Sequence, residues 1–324
     1  MLSRVANSIY WMSRYVERAE NVARFIDVNL NMSLDLGSEM QRHWAPLIYT
    51  TGDQEAFHAI HPVADQESVI QFLTFERQNP NSILTSLSAA RENARTVRDM
   101  ISSPMWEELN KFYLLVRSAT PSQVLESPFE FFSQIKLASH TLAGVTESSL
   151  SHGEAWHFHR LGQMLERADK TSRILDVKYY VLLPTASDIG TQLDTNQWAA
   201  LLKSASALEM YRKAYGRITP QSVADFLILD REFPRAIRFC LVRAEESLLA
   251  ITGGEHGTFQ NRAEQQLGRL RNEFDYTNID EILQGGMHEF IDRFQRSVNS
   301  VGDAIFETFF ALRSVPTQSQ WQSQ

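Results

Sequence analysis

The segment YVERAENVARFIDV at 15–28 returns as MLERADKTSRILDV at 164–177, with six identities in fourteen positions. Both copies sit in helix-periodic sequence. Around the first, Ile9, Met12, Val16, Ala19, Ala23, Ile26 and Leu30 recur three or four residues apart, the spacing of one buried stripe on a helix from about residue 3 to the low thirties. On that helix Glu17, Glu20, Asn21, Arg24 and Asp27 form a polar ledge beside the stripe, while Arg18 shares a sector with Trp11 and Phe25. Acids and arginines so close to an apolar stripe need partners from other elements, because a buried unpaired charge is too costly.

The correspondence extends along the chain in order. Glu17 maps to Glu166 at an offset of 149, and Trp44 maps to Trp198 at 154. FLTFERQNP at 72–80 maps to FLILDREFP at 226–234, again at 154, and EFF at 130–132 maps to EFI at 289–291, at 159. A tandem duplication is expected, with halves of about 1–150 and 151–314 packed as one domain spanning 1–314. The remaining 315–324 is polar and expected to be a frayed tail, with Trp321 a lesser candidate for docking on a partner.

The fold class expected is all-α, a multi-helix bundle built from the two related halves. The 324 residues contain 10 prolines and 14 glycines, and helical periodicity dominates between them. Beyond the first helix, helices are expected at about 67–78, 80–102, 104–118, 121–150, 153–183, 195–215, 220–230, 233–252, 258–275 and 286–313. Breaks fall at HP, SSP, TP, LLP and GG. An apolar content of 43%, with 10% aromatics, is ample for a core.

A net charge of -8 argues against a nucleic-acid binder, and no apolar run approaches a membrane span. The single cysteine, Cys240, excludes a disulfide framework and fits a reducing compartment, so a cytoplasmic protein is expected. Arginine outnumbers lysine 25 to 6, a bias suited to bidentate pairing with carboxylates in partly buried places.

The second copy repeats the ledge with Glu166, Asp169, Arg173 and Asp176, and sets Arg167 between Arg160 and Ile174. Three readings follow. Two related helices share a buried ion-pair network with Arg18 and Arg167 as anchors. Or the ledges line a charged groove, where Arg24 and Arg173 hold a carboxylate or phosphate and the glutamates hold an amine. Or the charges are solvated pairs one helical turn apart. Asp230-Arg231 with Pro234, like Glu76-Arg77 with Pro80, reads as a tie at a helix corner. The Glu-x-x-His pairs Glu55/His58 and Glu154/His157 are not at equivalent repeat positions, so no metal site and no cofactor is expected. Nucleotide-binding loops, a nucleophile elbow and a zinc-protease motif are all lacking.

NSIYWMSRYVERAENVAR near the start, AWHFHRLGQMLERADKTSRILDV in the middle and DREFPRAIRFCL later together resemble the bacterial alpha-E domain family across almost the whole chain. The resemblance implies an all-helical protein encoded beside, or fused to, a circularly permuted ATP-grasp carboxylate-amine ligase-like protein. Transglutaminase-like proteins and a proteasome-like peptidase often accompany it. It further implies a role in making or modifying a peptide-like amide bond, with a peptide as substrate. Carried over, the family's motif positions are Glu17, Arg18, Glu20, Asn21 and Arg24, then Glu166, Arg167 and Asp169, then Asp230, Arg231, Pro234 and Arg235. The departure is WHF at 156–158 where the family usually reads WRF, which puts a role for an arginine there in doubt. The function expected is an accessory helical subunit that binds the ligase-like partner and offers it a charged groove. An enzyme using the paired glutamates and arginines, or a plain scaffold, is the alternative.

Overall fold

The computed structural model describes residues 1–36, 44–180 and 191–311, and in them it contains sixteen α-helices, one π-helical turn and no strand. The expected break at 182–184 and the tail at 315–324 lie outside the described residues. The first half runs α1 (Ser3–Leu36), α2 (Ala45–Thr51), α3 (Gln54–His58), α4 (Gln66–Thr74), α5 (Ile83–Thr96), α6 (Ser103–Ser118), α7 (Pro121–Glu126) and α8 (Pro128–Ser149). The second runs α9 (Glu154–Tyr180), α10 (Gln192–Ser204), α11 (Leu208–Tyr215), α12 (Pro220–Leu229), α13 (Ile237–Thr252), α14 (Arg262–Tyr276), α15 (Ile279–Gly285) and α16 (Met287–Ile305), followed by the π-helical turn Phe306–Phe310. No described helix is long and apolar enough to cross a membrane.

Two helices expected as single pieces are each split. Pro128 lacks the N–H that would continue α7, so 121–150 divides into α7 and α8. The segment 195–215 divides into α10 and α11 at Ser206, the one described non-glycine residue with a positive φ, 53°. Three short helices, α2, α3 and α15, were not legible as periodic sequence, and α3 includes Glu55 and His58.

The long helices α1 and α9 form the central pair. Around them α5, α8 and α10 pack on α1, and α13 packs on α9. Contacts between the central helices advance together, from Met1–Glu154 through Tyr10–Gly162 to Glu17–Arg167, so the two run in the same direction. The periodicity had predicted one buried stripe on α1. Instead, every residue from Ala19 to Leu30 is buried, so the ledge is inside the protein together with the stripe. A helix buried all round that carries charge must find its counter-charges in its neighbours, and this requirement organises the site.

Candidate functional site

At the centre the two Glu-Arg pairs exchange partners. Arg167 on α9 donates from Nε and Nη2 to the two carboxylate oxygens of Glu17 on α1, at 2.9 and 2.8 Å. Arg18 on α1 returns the arrangement, donating from Nε and Nη2 to Glu166 on α9 at 2.7 and 3.3 Å. Both glutamates are buried, and the arginine side chains are largely so, at 15% exposure for Arg18 and 14% for Arg167. Such planar two-point pairs are directional, so they fix the register of one helix on the other as well as neutralising charge.

The helices can approach this closely because of Gly162. A β-carbon there would stand 2.5 Å from the Tyr10 carbonyl oxygen and 2.5 Å from Ser13 Oγ. Its counterpart 149 residues earlier is Ser13 itself.

One turn further along, the same logic is repeated at matching positions. Arg24 binds Glu20 through Nε and Nη2 at 2.9 and 2.6 Å and donates from Nη1 to the backbone carbonyl of Ser204 at 2.5 Å. Arg173 binds Asp169 at 3.1 Å and donates to the carbonyl of Thr50 at 2.8 Å. Thr50 and Ser204 stand 154 residues apart, as do the left-handed residues that follow them, Gly52 at φ 78° and Ser206 at φ 53°. Ser206 Oγ accepts from Arg24 Nη1 at 2.9 Å, a contact that helps hold a backbone conformation serine seldom adopts.

The two ends differ in where one cation comes from. In the first, Asn21 bonds Glu17, and Arg235 on the turn before α13 reaches Glu17 at 3.2 Å and also contacts Glu20 and Asn21. In the second, the position of Arg235 is held by Asn81, which accepts from Arg18 at 3.1 Å, and the position of Asn21 is held by Lys170. Lys170 lies 2.8 Å from Asp169 and 3.5 Å from Glu166. Each carboxylate pair thus keeps an extra cation by a different residue. Arg14 adds a further contact to Glu166 at 2.8 Å, and Ser139 donates to Glu20 at 2.6 Å.

Burial raises the carboxyl pKa of Glu17, but Arg167 and Arg235 outweigh it and leave the group below the ordinary range. Glu20, where Arg235 and Arg24 oppose burial, and Glu166, where Arg18, Lys170 and Arg14 do so, are held well below it. Against its own burial, Asp169 is brought to about 2 by Lys170 and Arg173. Burial lowers His159, beside this cluster, to about 4, and lowers Arg24 to about 10 with help from Arg235.

The acid limb of stability follows from these directions. A depressed carboxylate contributes stability that is present above its unfolded value and lost as pH falls through the folded one. His159 acts on the same side: between 6.5 and about 4 the unfolded chain takes up a proton that the folded imidazole refuses. Asp176, raised by burial, opposes them. The melting temperature is therefore expected to hold near neutrality, begin to fall below about 6.5, and fall more steeply below about 4.5. Circular dichroism melts from pH 8 to 2 measure this, and a melting temperature that rises on acidification would contradict the assignment.

Of the residues expected at the site, Glu17, Glu20, Asn21, Arg24, Glu166, Asp169, Arg173 and Arg235 converge, with Arg18 and Arg167 between them. Asp230 and Arg231 do not join them. Asp230 Oδ1 accepts from the backbone N–H groups of Glu232 and Phe233 at 2.8 and 2.7 Å, closing the α12–α13 corner, and Arg231 is exposed. Glu76 plays a similar part at the other corner, accepting from the Gln78 N–H at 3.0 Å. Arg14, Lys170, Asn81, Ser139 and Gly162 belong to the site but had not been singled out. Only Gly162 carried a signal, as a glycine inside a helical pattern. Glu154 bonds the N-terminal amine at 2.7 Å, and among the described residues no group of three His, Cys, Asp or Glu could hold a metal ion.

A family described as a predicted alpha-helical domain with a conserved ER motif matches residues 1–310. The chain belongs to the Alpha-E family. In this Alpha-E chain the Glu-Arg dipeptides Glu17-Arg18 and Glu166-Arg167 are the two whose members interlock between α1 and α9, whereas Glu76-Arg77 sits at a corner with Arg77 exposed. Uncharacterized proteins of Mycobacterium bovis and Mycobacterium tuberculosis are 22% identical to it over 332 residues. The aligned region covers 95% of this chain and 37% of each relative, so most of each relative lies outside the match. No solved structure matches.

Proposed function

We propose that this Alpha-E chain is an accessory helical subunit that docks an ATP-grasp carboxylate-amine ligase-like partner in a peptide synthesis or modification system. On this reading the tandem halves form one rigid body, and the Glu-Arg ledges serve its interior. The observation that carries the reading is the contrast between how charge and apolar surface are distributed. The charges that looked available for chemistry are paired inside, and their carboxylates are held deprotonated, a poor state for proton donation.

Apolar surface is left outside, along α6, α7 and α8. Adjoining cavities of about 310 and 340 Å³ share Leu115 and Gln134 and are walled by Phe112, Val124 and Phe131, with Leu137 65% exposed at the edge. An exposed leucine beside two adjoining cavities of this kind suits a partner surface. The length of the mycobacterial relatives supports the reading, since there the matching segment is one part of a longer chain.

Titration of the purified chain with the ligase-like protein tests the proposal. Micromolar or tighter association is expected, and Leu137→Glu should weaken it at least about tenfold with an unchanged melting temperature, since an exposed charge costs the fold little and an interface much. Absence of association, with pathway product still formed when this chain is deleted, would overturn it. Turnover by the isolated chain would favour the enzyme alternative.

A further inference from the structure

A separate cavity, of about 390 Å³, opens between α1 and α16 beside the Glu-Arg network. Its α1 wall carries Tyr10, Trp11 and Arg14, and its opposite wall Asn299, Asp303 and Phe306. We propose that this cavity is a binding site for an α-carboxylate adjoining an apolar side chain, the ligand being the C-terminal end of a peptide.

The carboxylate end is set by Arg14. Its Nε is held by Glu166 at 2.8 Å and its Nη1 by Tyr10 Oη at 3.1 Å, while Nη2 has no partner among the described residues. Held at two points and packed 4.9 Å over the Trp11 ring, the guanidinium is pre-organised to receive an anion with its remaining donors. Arg14 and Arg18 both bond the carboxylate of Glu166, and Lys170 stands between Glu166 at 3.5 Å and Asp169 at 2.8 Å, so Glu166 is neutralised without the whole of the Arg14 charge. The other end is set by α16. Asn299 and Asp303, one turn apart, offer oxygen acceptors to a ligand N–H, and Asp303 is exposed and forms no ion pair among the described residues. Between them Trp11, Phe306 and Phe310 supply the apolar walls. The volume falls in the range of small-ligand pockets, roughly 300–1,000 Å³.

The other half of the chain shows what these positions do when no such space is kept. The residues 149 after Tyr10, Trp11 and Arg14 are His159, Arg160 and Gln163, and those 159 before Gly302 and Phe306 are Ala143 and Glu147. These counterparts also line one cavity, but of about 30 Å³. The open site has the arginine, the added aromatics and Gly302. It also has the π-helical turn Phe306–Phe310, a feature found disproportionately at functional sites.

The assignment deepens the substrate-presenting side of the proposed function and rests on it for the peptide nature of the ligand. Its test uses the chain alone, so failure of partner docking leaves it standing. Isothermal titration calorimetry with N-acetyl-alanyl-phenylalanine should show saturable binding, and the C-terminal amide of the same peptide should bind at least about tenfold more weakly, having lost a charge-assisted contact. Arg14→Gln, which installs the residue of the closed counterpart, should bring the same loss, and Glu166 keeps Arg18 and Lys170 in that variant. Gly302→Leu should abolish binding without lowering the melting temperature, because a β-carbon at Gly302 meets only Arg14 Nη1, at 3.7 Å. Equal affinity for acid and amide, wild-type affinity in both variants, or no binding at millimolar peptide would overturn the site. Free phenylalanine binding as tightly as the dipeptide would overturn the peptide assignment.

Discussion

Glu17→Gln is expected to lower the unfolding free energy by about 3–5 kcal/mol, the range for breaking a buried ion pair by removing one partner. The carboxylate is buried and serves Arg167 by two hydrogen bonds and Arg235 by a third. A glutamine has one oxygen and no charge to offer in return. Arg167 would keep at most one of its two bonds to residue 17 beside a 3.5 Å contact to the Pro234 carbonyl, and Arg235 would keep Glu20 and Asn21. Urea denaturation measures the loss, and one below about 1 kcal/mol would show that solvent, not Glu17, satisfies these arginines. Adding Arg167→Met to Glu17→Gln should restore part of the stability, since two apolar or neutral groups avoid the stranded charge. The double variant Glu17→Gln/Glu166→Gln separates roles. Unfolding fits an interior framework, whereas intact folding and partner binding with loss of pathway product would assign the ledges to substrate.

Gly162→Leu is expected to destabilise by about 3 kcal/mol or more, at or beyond the upper end for overpacking a core. The obstacle is the backbone carbonyl of Tyr10, 2.5 Å from the added β-carbon, which cannot rotate aside as a side chain could. Gly162→Ala makes the sharper case. In an ordinary helix interior it would gain about 1 kcal/mol through propensity, and here it should lose stability, because α1 and α9 must separate and lengthen both Glu-Arg exchanges. A Gly162→Ala protein more stable than wild type would mean that the central pair has slack that its contacts do not show.

Much of the fold was legible from residues alone. Three- and four-residue spacing, few glycines and prolines, and good capping residues such as Ser82, Ser102 and Thr219 specify long helices locally. The short helices α2, α3 and α15 were not legible, because at five to seven residues they are too brief for periodicity and are held by packing. Nor was the break at Ser206, whose left-handed backbone is matched to a distant arginine. At the site, the repeated Glu, Arg and Asp positions marked eight convergent residues. Asp230 and Arg231, also carried as site candidates, lie at the corner where their spacing before Pro234 had placed a tie, and of that segment's charged residues Arg235 is the buried one.

By itself the sequence determined that α1 and α9 are long helices bearing matching charges, because both periodicity and repeated spacing are properties of the chain read in order. It left open whether those charges face water, a ligand or each other. The tertiary structure decided that, through a glycine that lets two parallel helices touch and through a register that sets Glu17 against Arg167 and Arg18 against Glu166. Pairing across 148 and 150 residues is a matter of long-range packing. Local spacing can place a charge on a face, but only the folded neighbours determine what that face meets.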